Sequence, residues 1–583
     1  MITSHSRRAF VTKFAGLGLG STLLPGVLWA KMADSGTESA TPEMVKSAAA
    51  LAGLEFTDEE IGKMLQTVNQ NLTKFKALHA FHIPNDVSPP FYFSPIVEGM
   101  SVNRTALPFR TSKPRAVKRP ADLESVAFWP VVQLAQLIKS RSVTSTELTE
   151  MYLARLKKHN EKINCVVTFL DDVARAQARQ ADAEIAAGKY RGPLHGIPWG
   201  AKDIIAVKGY KTTWGSDAYK DQMIDEDASL VEMLREAGAV LLAKLTTGEL
   251  AGGDVWFGGR TNNPWKLDQG SSGSSAGPAS ATAAGLVAFA IGSETGGSIL
   301  SPSARCGATG LRPTFGRVSR HGVMALSWTQ DRLGPFARCV EDCALIMRVI
   351  ARQDGKDLSV SEIPFNWDAQ RDYRSLKVGY FKDAFEDPDR LPDWVQNDQA
   401  TLAKLGEMGV QLIPLKVPDF PVDSSSFSVE SGVFFDELVR SGRVGLLTNK
   451  NRGNGLRTSR LIPAVEYLQT QRVRTMMMQK LAEATAGMDV YLAPSTNGRP
   501  TPPGEAGGGG GGQPPRGPAQ IHFQMANLAC YPGVGLPNGF ASTGAPTSIT
   551  FMGRPFGEPE LMTLAKAYQD ATGFNLKHPP LFS

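Results

Sequence analysis

Two glycine-rich stretches carry hydroxyls on backbone with little side-chain bulk. They are Gly270 to Ala279 (GSSGSSAGPA) and Phe289 to Ser298 (FAIGSETGGS). Small residues let backbone approach a ligand closely. In the second stretch, Thr295, Gly296, Gly297 and Ser298 can turn successive N–H groups inward to make an anion-binding nest. For acyl transfer such a nest is an oxyanion hole, each donor contributing about 3 kcal/mol to the transition state. Ser298 sits at the same turn, where a nucleophile belongs. Serine attacks only if a base removes its proton, and neither stretch contains histidine. A lysine serves if burial lowers its pKa enough to make it neutral. Lys202 meets that condition on paper, since Leu194 to Ile205 (LHGIPWGAKDII) is mainly apolar and glycine-flanked. A competing arrangement is Gly273 to Gly277 (GSSAG), which fits a nucleophile elbow with Ser275 as nucleophile. That motif needs a buried strand before it, whereas Asn262 to Gly270 (NNPWKLDQG) is polar and interrupted by proline.

The elements that must position these residues alternate between helices and short apolar strands. Val131 to Lys139 and Thr144 to His159 read as amphipathic helices, the second capped by Ser145 or Thr144. Ala174 to Gly188 is another. Ser229 to Gly238 forms a helix closed by glycine, and Ala239 to Lys244 (AVLLAK) then reads as a buried strand. This alternation argues an α/β fold. Upstream, Thr57 and Glu60 form a capping box ahead of Ile61, Met64, Leu65, Val68 and Leu72 at helical spacing, so residues 42–84 read as a small helical extension. A proline-rich stretch from Pro84 to Pro120 follows as an arm. Thr496 to Ala519 contains six consecutive glycines and cannot form a core element.

Composition excludes several classes. The chain has 583 residues, 42% hydrophobic and 20% charged, which suits a folded protein with a large core. Its 62 basic and 57 acidic residues leave a formal charge of only +5, and no basic stripe with interleaved aromatics argues for nucleic acid. Five cysteines, an odd and sparse set, make no disulfide framework. The N-terminus carries an address: Arg7 and Arg8 form a twin-arginine pattern, and an apolar run from Phe14 to Trp29 follows. That run is too short and too glycine-rich for a stable membrane span. It is expected to direct export to the periplasm.

Four segments together resemble the amidase signature family: Gly192 to Ile204 (GPLHGIPWGAKDI), Gly273 to Gly277, Gly292 to Ile299, and Cys306 to Thr314 (CGATGLRPT). The likeness extends from about Glu124 to the C-terminus and includes Gly535 to Gly539 (GLPNG). It implies an α/β fold with a large central mixed β-sheet covered by helices on both faces, the helical extension preceding it. The expected domains are a signal segment over 1–31, the extension and arm over 32–120, and a catalytic domain over 121–583. The family's Ser–cis-Ser–Lys triad carries over as Ser298 nucleophile, Ser274 proton relay and Lys202 base. The implied reaction is hydrolysis of a small-molecule carboxamide, with ester hydrolysis also open, and no metal or organic cofactor. The alternatives are an exported binding protein without catalysis and a glutamine-dependent amidotransferase subunit. Oligomeric state and substrate identity are not readable.

The sequence departs from the family at two positions. Glu294 stands for the usual aspartate of the nucleophile segment, and Leu300 for the usual arginine two residues past the nucleophile. Arg305 is the expected substitute, pairing with Glu294 to brace the loop.

Overall fold

The computed structural model describes residues 39–79, 93–113, 116–422, 425–498 and 517–583. The expected export segment, the proline-rich residues before 93 and the six-glycine run lie outside the described residues. The chain divides into two compact units, one drawn from Met1–Phe91 with Asp423–Met476, the other from Tyr92–Val422 with Met477–Ser583.

The larger unit is built on a mixed sheet. In chain order the strands are β1 (Val166–Phe169), β2 (Pro198–Lys202), β3 (Val240–Leu245), the short hairpin strands β4 (Val255–Trp256), β5 (Gly259–Arg260), β6 (Asn262–Asn263) and β7 (Lys266–Gly270), then β8 (Phe289–Glu294), β9 (Thr309–Arg312), β10 (Arg332–Ala337), β11 (Val378–Phe381), β12 (Leu412–Leu415), β13 (Val490–Pro494), β14 (Gly533–Phe540) and β15 (Pro546–Gly553). Eleven of them form one sheet in the order β1-β3-β2-β8-β10-β9-β14-β15-β13-β11-β12. Strands β2, β3 and β8 run parallel to one another and are buried at every residue, as expected where helices cover a sheet. β10 pairs antiparallel with β8, placing Arg332 opposite Glu294. Because β2 and β8 are parallel neighbours, Lys202 and Glu294 lie together at the carboxyl ends of their strands, the place where α/β sheets present ligand sites.

The anticipated elements form, with shifted ends. Helices span Val131–Lys139, Ser145–Ile163, Asp171–Ala186 and Ser229–Glu236. Thr144 is the cap of the second. Its hydroxyl accepts the Glu147 N–H at 3.1 Å while the Glu147 carboxylate accepts the Thr144 N–H at 2.8 Å. The strand expected at 239–244 is β3.

The smaller unit has its own core. Val45 of helix Pro42–Leu51 packs with Ile61, Met64 and Val68 of helix Asp58–His79, and Leu461 from the second segment joins them. Arg457 pairs with Glu60 in the same unit, and Glu60 also accepts the Thr57 N–H to complete the expected capping box. The compact units thus cut across the boundary anticipated near residue 121. Residues from Asp423 to Met476 group with the N-terminal helices, whereas the described part of the arm, from Phe93 on, groups with the sheet unit: Phe93 stacks edge-on to Phe315 at 5.0 Å, and Arg110 N–H donates to the Trp367 carbonyl at 3.0 Å. No described helix is long and apolar enough to cross a membrane.

Candidate active site

Lys202 closes β2 and is wholly buried. Its Nζ lies 2.7 Å from Ser274 Oγ, 2.9 Å from Ser293 Oγ and 3.2 Å from Ser275 Oγ. It makes no ion pair among the described residues. Burial lowers its pKa from the ordinary 10.5 to about 7, against the opposing pull of the Asp331 and Glu294 carboxylates. A second buried lysine makes the contrast plain. Lys244 on neighbouring β3 pairs with Asp203 at 2.8 Å and donates to Thr212 Oγ1 at 2.9 Å, so its charge has a partner. Asp203 also accepts the Thr213 N–H at 3.0 Å, anchoring the chain immediately after Lys202.

The three hydroxyls around Lys202 are not equivalent. Ser275 Oγ donates to the Ser293 carbonyl at 3.1 Å and accepts the Ser293 N–H at 3.1 Å, which ties it to β8. Its hydrogen is thus committed, and it can only accept from Lys202. Ser275 is therefore held as a strut between helix Ala276–Ala283 and β8, and β7, the strand before it, is separated from it by a turn and is largely unburied. A neutral amine has two N–H groups and one lone pair. In the neutral form two of the three serine contacts can take its N–H groups, and the remaining hydroxyl can donate to the lone pair. Ser274 follows a cis peptide bond from Gly273. Its backbone is closely seated: a Cβ on Gly273 would stand 1.9 Å from the Gly253 carbonyl oxygen.

Ser298 is half-buried, and its carbonyl accepts the Ser275 N–H at 3.2 Å, so the two glycine-rich stretches meet there. The loop leading to it is open at Gly296, while Gly297 adopts φ 118°. A Cβ at Gly297 would sit 2.8 Å from the Phe523 ring, so both conformation and space select glycine. Among the described residues, the N–H groups of Gly296, Gly297 and Ser298 donate to no protein acceptor. The next two amides are taken: Ile299 and Leu300 N–H donate to one Glu294 carboxylate oxygen at 2.8 and 2.9 Å.

The expected Glu294–Arg305 pair does not form. Glu294 pairs with Arg312 at 2.7 Å, both side chains fully buried, and the Arg305 guanidinium reaches Gln269 at 3.5 Å. The reason is directional. The Glu294 carboxylate caps the start of helix Leu300–Cys306, and Arg305 lies at its far end, several residues of about 1.5 Å rise away. β9, which carries Arg312, delivers a guanidinium to the near side instead. Arg312 also donates to Asn527 Oδ1 at 2.8 Å and to the Tyr531 carbonyl at 2.9 Å. Burial alone would raise the Glu294 pKa, but Arg312 and Arg332 outweigh it and hold the carboxyl below its usual value. Glu294 thus joins Arg312 to the first amides of helix Leu300–Cys306, and Arg305 takes no part in that contact.

Several residues of this network were not singled out from the sequence: Ser293, Arg312, Asp331, Arg332 and Asn527. Asp331 accepts the Thr295 hydroxyl and the N–H groups of Leu326 and Ser327 at 2.7 and 3.0 Å. The one local signal was an arginine in an otherwise apolar, proline-bounded strand, Thr309 to Pro313 (TGLRP).

The chain matches the family model described as Amidase over residues 147–562. It is 34% identical over 480 residues to a glutamyl-tRNA(Gln) amidotransferase subunit of Roseiflexus castenholzii, covering 77% of this chain and 97% of that one. The corresponding subunit of Heliobacterium modesticaldum is 32% identical over 486 residues, with 77% and 98% covered. Among solved structures, the native peptide amidase of Stenotrophomonas maltophilia superposes with a TM-score of 0.66 at 27% identity, covering 77% of this chain and 98% of that one. A 6-aminohexanoate cyclic dimer hydrolase complexed with substrate shares the fold, with a TM-score of 0.69 at 24% identity and 78% and 100% covered.

Proposed function

Since the chain belongs to the amidase signature family, we propose that it is a serine amidohydrolase that cleaves carboxamides through an acyl-enzyme on Ser298. The observation that carries this reading is a buried lysine of lowered pKa, without a carboxylate partner, 2.7 Å from the Ser274 hydroxyl. Neutral Lys202 accepts the Ser274 proton as Ser274 accepts that of Ser298. The Ser298 oxygen forms a bond to the amide carbon, and the carbonyl electron pair moves to its oxygen. The N–H groups of Gly296, Gly297 and Ser298 receive the resulting anion. As the C–N bond breaks, the proton returns through Ser274 to the leaving nitrogen. Water then attacks the ester by the reverse path and releases the acid.

A fluorophosphonate probe tests this reading. It is expected to label Ser298, and Ser298→Ala is expected to abolish labelling. Label on Ser275 would overturn it. A panel of aliphatic, aryl and peptide amides and esters then defines the substrate class.

A second reading has its own support, because curated relatives at 30–35% identity carry the name of an amidotransferase subunit. In that case the acyl-enzyme would form from glutamine and release ammonia to a partner. Glutaminase activity that appears only with partner subunits would favour it. The twin-arginine segment favours the free, exported amidase, and we place that enzyme in the periplasm.

A further inference from the structure

Arg332 begins β10 and is almost entirely buried, 2% exposed. Only one of its three nitrogens is engaged. Nη2 donates to the Thr295 carbonyl at 2.8 Å and lies 3.4 Å from Asn527 Oδ1, while Nε and Nη1 have no partner among the described residues. An arginine buried for the sake of the fold usually has most of its donors satisfied. This one spends its contact on a loop carbonyl. It is also a second cation beside Glu294, which Arg312 already pairs, and Asp331 is the other carboxylate that acts on it.

The carbonyl it holds belongs to the peptide that joins Thr295 to Gly296. In a trans peptide the C=O and N–H point in opposite directions. Fixing the Thr295 carbonyl on Arg332 therefore turns the Gly296 N–H away from the protein interior, and Gly296 is the exposed residue of the loop. The Thr295 side chain is tied separately to Asp331, so the peptide plane is held at two points. The Glu294 carboxylate meanwhile occupies the amides of Ile299 and Leu300, leaving those of Gly296, Gly297 and Ser298 open. We propose that Arg332 is a positioning residue of the oxyanion hole, which aims the Gly296 N–H at the developing negative oxygen by clamping the Thr295 carbonyl. This rests on the amidohydrolase reading above.

The test compares Arg332→Met and Arg332→Gln with the wild-type full chain. Arg312 still pairs with Glu294 in both, so that carboxylate keeps its cation. Sites competent for turnover are counted by fluorophosphonate stoichiometry, and kcat, KM and the affinity for an arylboronic acid, a tetrahedral mimic, are measured per counted site. The expected result is a loss of kcat of about tenfold to a hundredfold with KM within about threefold. The boronate should weaken by a similar factor while the pH limb of Lys202 stays near 7. Arg332→Lys, which keeps one donor for the carbonyl, should recover part of the loss. A per-site kcat that falls less than tenfold, or one that falls without weakening the boronate, overturns the proposal even if fewer sites are counted. Failure of both variants to fold also overturns it and assigns Arg332 to the fold. If the wild type itself is not labelled at Ser298, it is the amidohydrolase reading that fails.

Discussion

At the scale of single residues, the proposed reaction depends on Lys202, which is buried without a carboxylate in contact. Only its neutral form accepts a proton, so kcat/KM for an amide should rise with pH through about 7 and level off above it. A rate independent of pH between 5 and 9 would remove Lys202 as the base. The same burial has a stability consequence. The folded-state pKa lies below the unfolded value, so below 10.5 the unfolded chain binds a proton that the folded site holds less well. The cost is fully present below about 7 and fades as pH rises toward 10.5. Lys202→Met is expected to abolish turnover yet raise the melting temperature at pH 6 by about 3–5 °C. The gain should shrink at pH 10. A melting temperature that drops at both pH values would show that the three serine contacts outweigh the buried charge.

At the scale of elements, the loop leading to Ser298 is braced by β9 and β10. Breaking a buried ion pair by removing one partner costs about 3–5 kcal/mol, so Glu294→Gln and Arg312→Met should each destabilise strongly by denaturant melts. Their double mutant should recover a large part of the sum, as coupled partners do. Arg305→Ala should cost only about 0.5 kcal/mol and combine additively with Glu294→Gln. Strong coupling between Glu294 and Arg305 would contradict the geometry. Local capping is a smaller effect: Thr144→Ala should cost about 1 kcal/mol.

At the scale of the whole molecule, two distant stretches of sequence build one small unit. Met64 is fully buried in its core, which includes Leu461. Deleting residues 1–79 should therefore expose residues 425–476 to proteolysis, measured as new cuts mapped by mass spectrometry. Unchanged resistance of that segment would show that it folds without the N-terminal helices. Export is a separate proposal, which rests on Arg7 and Arg8. Residues 1–40 fused to a folded reporter should carry it to the periplasm of a host with a twin-arginine pathway, and replacing both arginines by lysine should stop it. Transport that survives the replacement would remove the twin-arginine assignment, and failure of the unaltered segment to export the reporter would favour the cytoplasmic amidotransferase reading.

By itself the sequence determined the alternation of helices and buried strands, the capping box at Thr57, a helix cap at Ser145 or Thr144, and the two glycine-rich stretches that turn backbone toward a ligand. These are local properties, set by periodicity, steric freedom and hydrogen bonds spanning three or four residues. The placement of Lys202 in an apolar run was equally legible, because burial is written in its neighbours. Only the tertiary structure decided which cation meets Glu294. Arg305 is closer in sequence, but helix Leu300–Cys306 carries it away, and β9 brings Arg312 across the sheet. Asn527, 215 residues from Arg312, enters through a different helix. The gathering of Ser274, Ser275 and Ser293 around Lys202 likewise depends on tertiary register, and so does the meeting of Arg332 with Thr295. A partner's identity at long range depends on the direction in which each element leaves the sheet, and no spacing within one segment encodes that direction.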